Sequence, residues 1–160
     1  MSKGFGILEI LIALVIMGLI MSIAIPNLKK LLPGQQKKEF VNQVNFFTQL
    51  AWQKAITTRQ VFKIIFDINK RTISVTPEEG KPLQNTYIWP TNITIKNLYV
   101  NNEDLLHLQG RTTYNAWFFV VPDGLTQNVI LNATLNEKEL SLVLNPFTAQ
   151  FTLYDKFQKP

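Results

Sequence analysis

Cysteine is absent from the chain of 160 residues. Its absence excludes disulfide bridges, thiolate metal sites and cysteine nucleophiles, but it does not identify the redox compartment. Histidine is nearly absent, since His107 is the only one, and no spacing of Ser, Asp and His resembles a hydrolase signature. We therefore predict that the chain is not an enzyme and that it uses no cofactor.

Clustered charge is also lacking. The formal net charge is +5, but Lys and Arg are scattered and form no basic block of the kind that binds nucleic acid.

The cluster Asn101-Asn102-Glu103-Asp104 offers oxygen ligands that would suit calcium, but its spacing matches no EF-hand. We predict no metal site there and interpret the cluster as an exposed turn.

One long apolar run is present near the start of the chain. Residues 7–25 are nineteen residues in which Glu9 is the only charge. A membrane-spanning helix needs about 20 apolar residues, whereas the apolar part of a signal peptide has about 7 to 15 and precedes its cleavage site. The run therefore predicts a transmembrane helix rather than a secretory signal.

Glu9 needs an explanation, because a carboxylate inside a membrane helix costs about 2 to 3 kcal/mol on insertion scales. One interpretation places Glu9 at the membrane edge, where the positive end of the helix dipole stabilises it. That interpretation leaves the adjacent Gly4-Phe5 junction unexplained.

Lys3-Gly4-Phe5, followed by Glu9 and a long aliphatic run, resembles the class III leader of type IV pilins and pseudopilins. The resemblance implies that residues 1–4 are a leader, cleaved between Gly4 and Phe5 by a prepilin peptidase on the cytoplasmic side. It implies N-methylation of the new Phe5 amine. It also implies that Glu9 pairs with the N-terminal amine of a neighbouring subunit and sets the register of subunit addition. Such charges are costly alone and compensate each other when paired.

Residues 5–26 are accordingly expected to form a transmembrane assembly helix. Pro26 falls where the family usually has a helix-kinking proline, and proline removes a backbone donor and clashes with the preceding turn. The chain departs from the family at Gly6, where Thr is common. We expect this departure to affect local helix stability more than cleavage.

Two indications of topology disagree. Lys29 and Lys30 outnumber Lys3, so the positive-inside rule alone places the C-terminal domain in the cytoplasm. The leader outweighs this rule, because a processed leader must face the cytoplasmic peptidase. We expect a single-pass inner-membrane protein whose C-terminal domain lies in the periplasm and joins a periplasmic filament after assembly.

Residues 27–59 are predicted to form a helical stem with a break at residues 33–34, and the second helix is expected over residues 35–59. Its apolar residues recur at helical spacing and should pack on a sheet. They are Phe40, Val44, Phe47, Ala51 and Ala55.

After residue 59 the pattern has a period of two, which indicates strands. A hairpin is predicted over residues 61–75 with its turn near Asn69-Lys70, and residues 76–90 are predicted to be a loop. Further strands are expected at 92–99, 116–121, 128–135, 138–145 and 150–154. The fold class is α+β, in which a long N-terminal helix, transmembrane in its first half, packs on an antiparallel sheet or sandwich of about seven strands within residues 60–160.

A second resemblance lies in the C-terminal half. Segment 119–124 ends in Pro-Asp-Gly and precedes two strands joined by a tight turn at residues 136–137, which resembles the minor pseudopilin H and FimT group. That group often has Thr-Gly in its last turn, whereas residues 148–149 are Thr-Ala here.

The resemblance implies a minor pseudopilin, a structural subunit of the periplasmic pseudopilus of a type II secretion system, which aids export of folded proteins. Its partners would be other pseudopilins, the prepilin peptidase and an inner-membrane assembly platform with its ATPase. The alternative is a FimT-like minor pilin of a type IV pilus that takes part in DNA uptake, with Lys156 and Lys159 as candidate contacts. A third interpretation is a membrane-anchored binding protein with an accidental leader match.

Overall fold

The computed structural model of the chain describes residues 6–30, 33–83, 85–108 and 113–160. The chain forms two compact units, Met1–Gln36 and Lys37–Pro160.

Two helices occupy the first half of the described chain. Helix α1 spans Ile7–Lys30 and helix α2 spans Pro33–Thr58. The predicted break at residues 33–34 falls inside α2, because both residues are helical. Proline suits the first turn of a helix, where its missing N–H would have no intrahelical partner. Helix α2 therefore begins at Pro33.

The second unit contains nine strands within the described residues, two more than the sequence predicted. They are β1 (Phe62–Asp67), β2 (Thr72–Pro77), β3 (Thr86–Ile88), β4 (Ile93–Val100), β5 (Glu103–Asp104), β6 (Asn115–Val120), β7 (Val129–Leu135), β8 (Lys138–Asn145) and β9 (Gln150–Tyr154).

The strands form two antiparallel sheets, which confirms the α+β class. The first sheet has the order β3-β2-β1-β6 and the second has the order β5-β4-β7-β8-β9. The predicted hairpin is present as β1 and β2, whose turn is held by a 2.9 Å hydrogen bond from the Lys70 N–H to Asp67 Oδ1. Five longer strands lie within one or two residues of their predicted bounds.

The two additional strands, β3 and β5, are the shortest. Strand β3 lies inside the predicted loop 76–90 and pairs three residues with β2. Strand β5 pairs two residues with β4. Alternation is recognisable only over about four residues or more, so elements of this length leave no period in the sequence.

The core of the second unit lies where α2 meets the sheets. The five apolar α2 residues named from the sequence are all buried, which confirms the predicted stripe. Aromatic contacts continue from the helix into both sheets. Phe40 of α2 contacts Trp89 edge-on at 6.4 Å between ring centroids, and Phe118 of β6 contacts Phe151 of β9 at 6.2 Å. These rings hold the two sheets and the helix as one packed unit.

Candidate functional site

Glu9 stabilises the N-terminus of α1. Its Oε2 accepts a 2.8 Å hydrogen bond from the Gly6 N–H, and the Glu9 N–H donates to the Gly6 carbonyl at 3.0 Å. A Glu three residues after the capping position, reaching back to that residue's N–H, is half of a capping box. The negative charge also lies at the positive end of the helix dipole. A carboxylate offers about four acceptor positions, so this contact is compatible with a second, intersubunit partner.

Gly6 is the capping residue of α1. The effect of Gly in place of the family's Thr is therefore on this helix cap. Among the described residues, a Cβ added there would meet the flexible Glu9 carboxylate at 3.3 Å. Thr would therefore fit, and its hydroxyl would supply the other half of the capping box.

The first half of helix α1, residues 7–19, exposes apolar side chains on all of its faces. Nine of them between positions 7 and 19 are each more than half exposed: Ile7, Ile10, Leu11, Ile12, Leu14, Val15, Ile16, Met17 and Leu19. A helix that is apolar all round is typical of a helix buried in a protein interior or in a membrane.

The other predicted residues of the N-terminal segment are only partly described. Gly4 and Phe5, the predicted cleavage and methylation site, lie outside the described residues. Pro26 lies within α1, which continues to Lys30; the kink at Pro26 stays a prediction. Among the described residues, no helix has the length and apolar character needed to cross a membrane.

The Pro122-Asp123-Gly124 segment is a tight turn docked on α2. The Gly124 N–H donates to the Val121 carbonyl at 3.0 Å, and the Gly124 carbonyl accepts a 2.7 Å hydrogen bond from Trp52 Nε1. Gly124 has φ = +83°, a conformation that favours glycine. The Pro-Asp-Gly sequence is thus explained by the turn and by its anchor on the helix.

Two α2 amides hold the chain at β9, and sequence reasoning missed both. Asn45 accepts from the Phe151 N–H at 2.7 Å and donates to the Phe151 carbonyl at 3.4 Å. One helical turn later, Gln49 Nε2 donates to the carbonyls of Thr148 and Ala149 at 2.8 and 3.0 Å. Side chains of α2 therefore form hydrogen bonds with the backbone of β9 and of the turn before it. The only signal in the sequence is the spacing of two amides by four residues beside the apolar stripe.

Two hairpin turns use backbone conformations that are unusual for their residues. The predicted tight turn has φ = +48° at Asn136 and +67° at Glu137, as a type I′ turn requires. Ala149 has φ = +51°, at the position where the resembling group often has glycine. The chain therefore keeps the turn conformation without the glycine.

The Asp104 carboxylate accepts several hydrogen bonds in the segment that follows β4. It accepts from Asn97 Nδ2 at 2.7 Å, from His107 Nδ1 at 2.8 Å and from two backbone N–H groups. Partial burial raises the pKa of Asp104, but these hydrogen bonds outweigh it and leave the pKa below its usual value. Asn101 Oδ1 accepts from the Asn128 N–H. Within the described ranges, no three His, Asp or Glu side chains are grouped as metal ligands would be. The oxygens of Asp104 and Asn101 thus accept hydrogen bonds from neighbouring side chains and backbone.

The helix packed on two antiparallel sheets defines a class of α+β subunit that recurs among known structures. No family model matches the sequence, and no curated protein matches it either. Two structures of the minor pseudopilin EpsH from the type 2 secretion system of Vibrio cholerae are similar, with TM-scores of 0.55 and 0.51 at 11% and 10% identity. The alignments cover 78% and 79% of this chain and 99% and 98% of those chains.

A type IV minor pilin, FimU of Pseudomonas aeruginosa, gives a TM-score of 0.48 at 10% identity, over 73% of this chain and 87% of that chain. The two EpsH structures show that the chain has the fold of that minor pseudopilin, which confirms the resemblance at the level of the fold.

Proposed function

We propose that the chain is a minor pseudopilin, a structural subunit of the periplasmic pseudopilus of a type II secretion system that aids export of folded proteins. The observation that carries this proposal is the segment 7–19 of α1, whose described apolar side chains are exposed on all faces. Burying a Leu or Ile side chain contributes about 1.5 to 3 kcal/mol. Once a subunit has left the lipid, lateral packing of such helices keeps these side chains out of water and therefore drives subunit association.

The proposed roles of the N-terminal residues follow from the leader resemblance. A prepilin peptidase cuts between Gly4 and Phe5, and the new Phe5 amine is methylated. Glu9 then accepts the amine of a neighbouring subunit, while its contact with Gly6 keeps the carboxylate at the helix terminus. The exposed position of Glu9 supports this role, because a partner can reach it.

In this proposal residues 5–26 hold the subunit in the inner membrane before assembly, with Pro26 bending the helix, and the second unit lies in the periplasm. The partners are other pseudopilins and an inner-membrane assembly platform with its ATPase. The subunit contributes structure to the filament and catalyses no reaction.

The first test is processing. Co-expression with a prepilin peptidase, followed by intact mass measurement, should show loss of residues 1–4 and gain of one methyl group on Phe5. An inactive peptidase is the control and should leave the chain uncut. Retention of the leader with the active peptidase would refute the pilin-like function as a whole.

The FimT-like alternative is supported by one observation: Lys156 and Lys159 are both exposed. Duplex DNA binding measured across a salt series decides the matter, since binding through phosphate contacts weakens steeply as salt rises. Salt-sensitive binding that is lost in the Lys156→Ala/Lys159→Ala variant would favour DNA uptake. Absence of binding at low ionic strength would remove that alternative.

A further inference from the structure

A cavity of about 460 Å³ lies beside the outer edge of β6. Among the described residues, three from β6 line it together with seven others: Val100, Asn101, Glu103, Leu105, Leu108, Thr113 and Gln127. Pockets that bind small molecules commonly have about 300 to 1,000 Å³. We call it the β6 cavity. It belongs to the second unit and is independent of the proposed assembly role of α1.

One wall of the β6 cavity is aromatic. Trp117 and Phe119 alternate along β6 with the buried residues Ala116, Phe118 and Val120, so both point away from the core. Trp117 is 45% exposed, whereas Trp89 in the core is 2% exposed. A half-exposed indole offers a flat, rigid, apolar surface together with a polar N–H.

Polar side chains around this wall are held in place by backbone contacts. Gln127 Oε1 accepts from the Phe119 N–H at 2.8 Å, and Asn101 Oδ1 accepts from the Asn128 N–H at 3.2 Å. Because each amide oxygen is engaged, each amide offers its NH₂ group to a ligand. Glu103 adds a carboxylate acceptor to the lining. The cavity therefore combines fixed donors and an acceptor with an apolar wall.

The described lining residues offer no cation to an anionic ligand. Glu103 is the charged side chain among them, and it is acidic. Lys63 has its Nζ 5.3 Å from the Phe119 ring centroid, a cation–π distance. A nucleic acid or another polyanion would require basic groups in the cavity.

An added peptide strand is also disfavoured. Because strand backbones alternate in direction, the Phe119 N–H faces the outer edge of β6, away from β1. Gln127 already accepts a hydrogen bond from this N–H. Val120 is bridged to Thr126 at the same end. An incoming strand would therefore find this edge closed at its C-terminal end.

We propose that the β6 cavity binds a neutral oligosaccharide. One pyranose ring stacks its C–H face on the Trp117 indole. Its hydroxyls accept from the Gln127 and Asn101 amides and donate to the Glu103 carboxylate. A sugar matches this lining because it carries an apolar ring face and hydroxyl groups that both donate and accept.

The test uses the full chain in a sugar-free detergent, titrated with chitotriose, cellotriose and maltotriose. Binding is followed by tryptophan fluorescence and calorimetry. We expect at least one probe to bind saturably with a Kd below about 10 mM and to shift the Trp117 emission. Trp117→Ala should weaken that binding by about tenfold or more. Phe147→Ala, which removes an exposed aromatic ring outside the cavity, should leave it unchanged.

A second variant separates binding from folding. Gln127→Glu keeps an acceptor for the Phe119 N–H but removes the NH₂ donor, so we expect weaker binding with the same thermal midpoint. No saturable binding of the three probes, or equal affinity in Trp117→Ala, would overturn the proposal. The proposal would also be overturned if the sugars do not bind and single-stranded DNA or an alternating Thr-Val peptide binds in a way that depends on Trp117.

Discussion

The contact between α2 and the edge of β9 gives a quantitative expectation for Asn45→Ala. The substitution removes the 2.7 Å bond from the Phe151 N–H, which costs about 1.5 kcal/mol because that group lies at a buried residue. Loss of the longer 3.4 Å bond to the Phe151 carbonyl costs about 0.5 kcal/mol. Alanine returns about 0.5 kcal/mol through its higher helix propensity. The net loss of unfolding free energy is about 1.5 kcal/mol, which lowers the melting temperature by about 6 °C.

Thermal unfolding followed by tryptophan fluorescence measures this loss in the second unit, because all three tryptophans lie in it. Asn42→Ala is the matched control: Asn42 is exposed on the same helix, so this variant should gain only the helix-propensity term. Asn45→Asp keeps the acceptor for the Phe151 N–H and should lose less stability than Asn45→Ala. If Asn45→Ala unfolds at the same temperature as Asn42→Ala, α2 does not hold β9 through this amide.

The remaining expectations concern turns and one carboxylate. Glu137→Gly should raise the unfolding free energy by about 1 kcal/mol in urea titration, because the residue is exposed with positive φ; Glu137→Ala should not, and an equal gain would point to lost charge instead. Gly124→Ala should cost about 1 to 2 kcal/mol through its positive φ, whereas Gly34→Ala in a helix with open space should stabilise. Asp104, whose folded-state pKa is lowered, stabilises the fold above its unfolded pKa and loses that contribution as pH falls through the folded pKa. Urea midpoints should therefore show the advantage of wild type over Asp104→Asn shrinking below about pH 4, and a constant difference would contradict this.

The predictable parts of the fold are those with a long, regular burial pattern. The α2 stripe and the seven predicted strands follow from periods of 3.6 and 2, because apolar residues that face the core recur at those spacings. Strands β3 and β5 are too short to show a period, and their pairing depends on neighbours already in place.

Side-chain contacts with a distant backbone could not be predicted. Asn45 meets Phe151 across 106 residues of sequence, and Trp52 meets Gly124 across 72. Such contacts depend on how the helix docks, which propensity and pattern do not encode. The contact of Glu9 with Gly6 is different, because a spacing of three residues at a helix start is itself a local signal. The helix-end interpretation of Glu9 therefore has direct geometric support, and its intersubunit role remains a proposal.

The central claim is that the charge of Glu9 pairs with the amine of a neighbouring subunit, beyond stabilising its own helix. Glu9→Gln and Glu9→Ala separate the two roles. Gln removes the charge but keeps an acceptor for the Gly6 N–H, as a capping box allows. Ala removes both the charge and the acceptor. The measurement is incorporation of each variant into filaments with the other pseudopilins, beside its leader cleavage. We expect normal cleavage in both variants and loss of incorporation in both. Normal incorporation of Glu9→Gln would show that helix capping suffices and would contradict the claim.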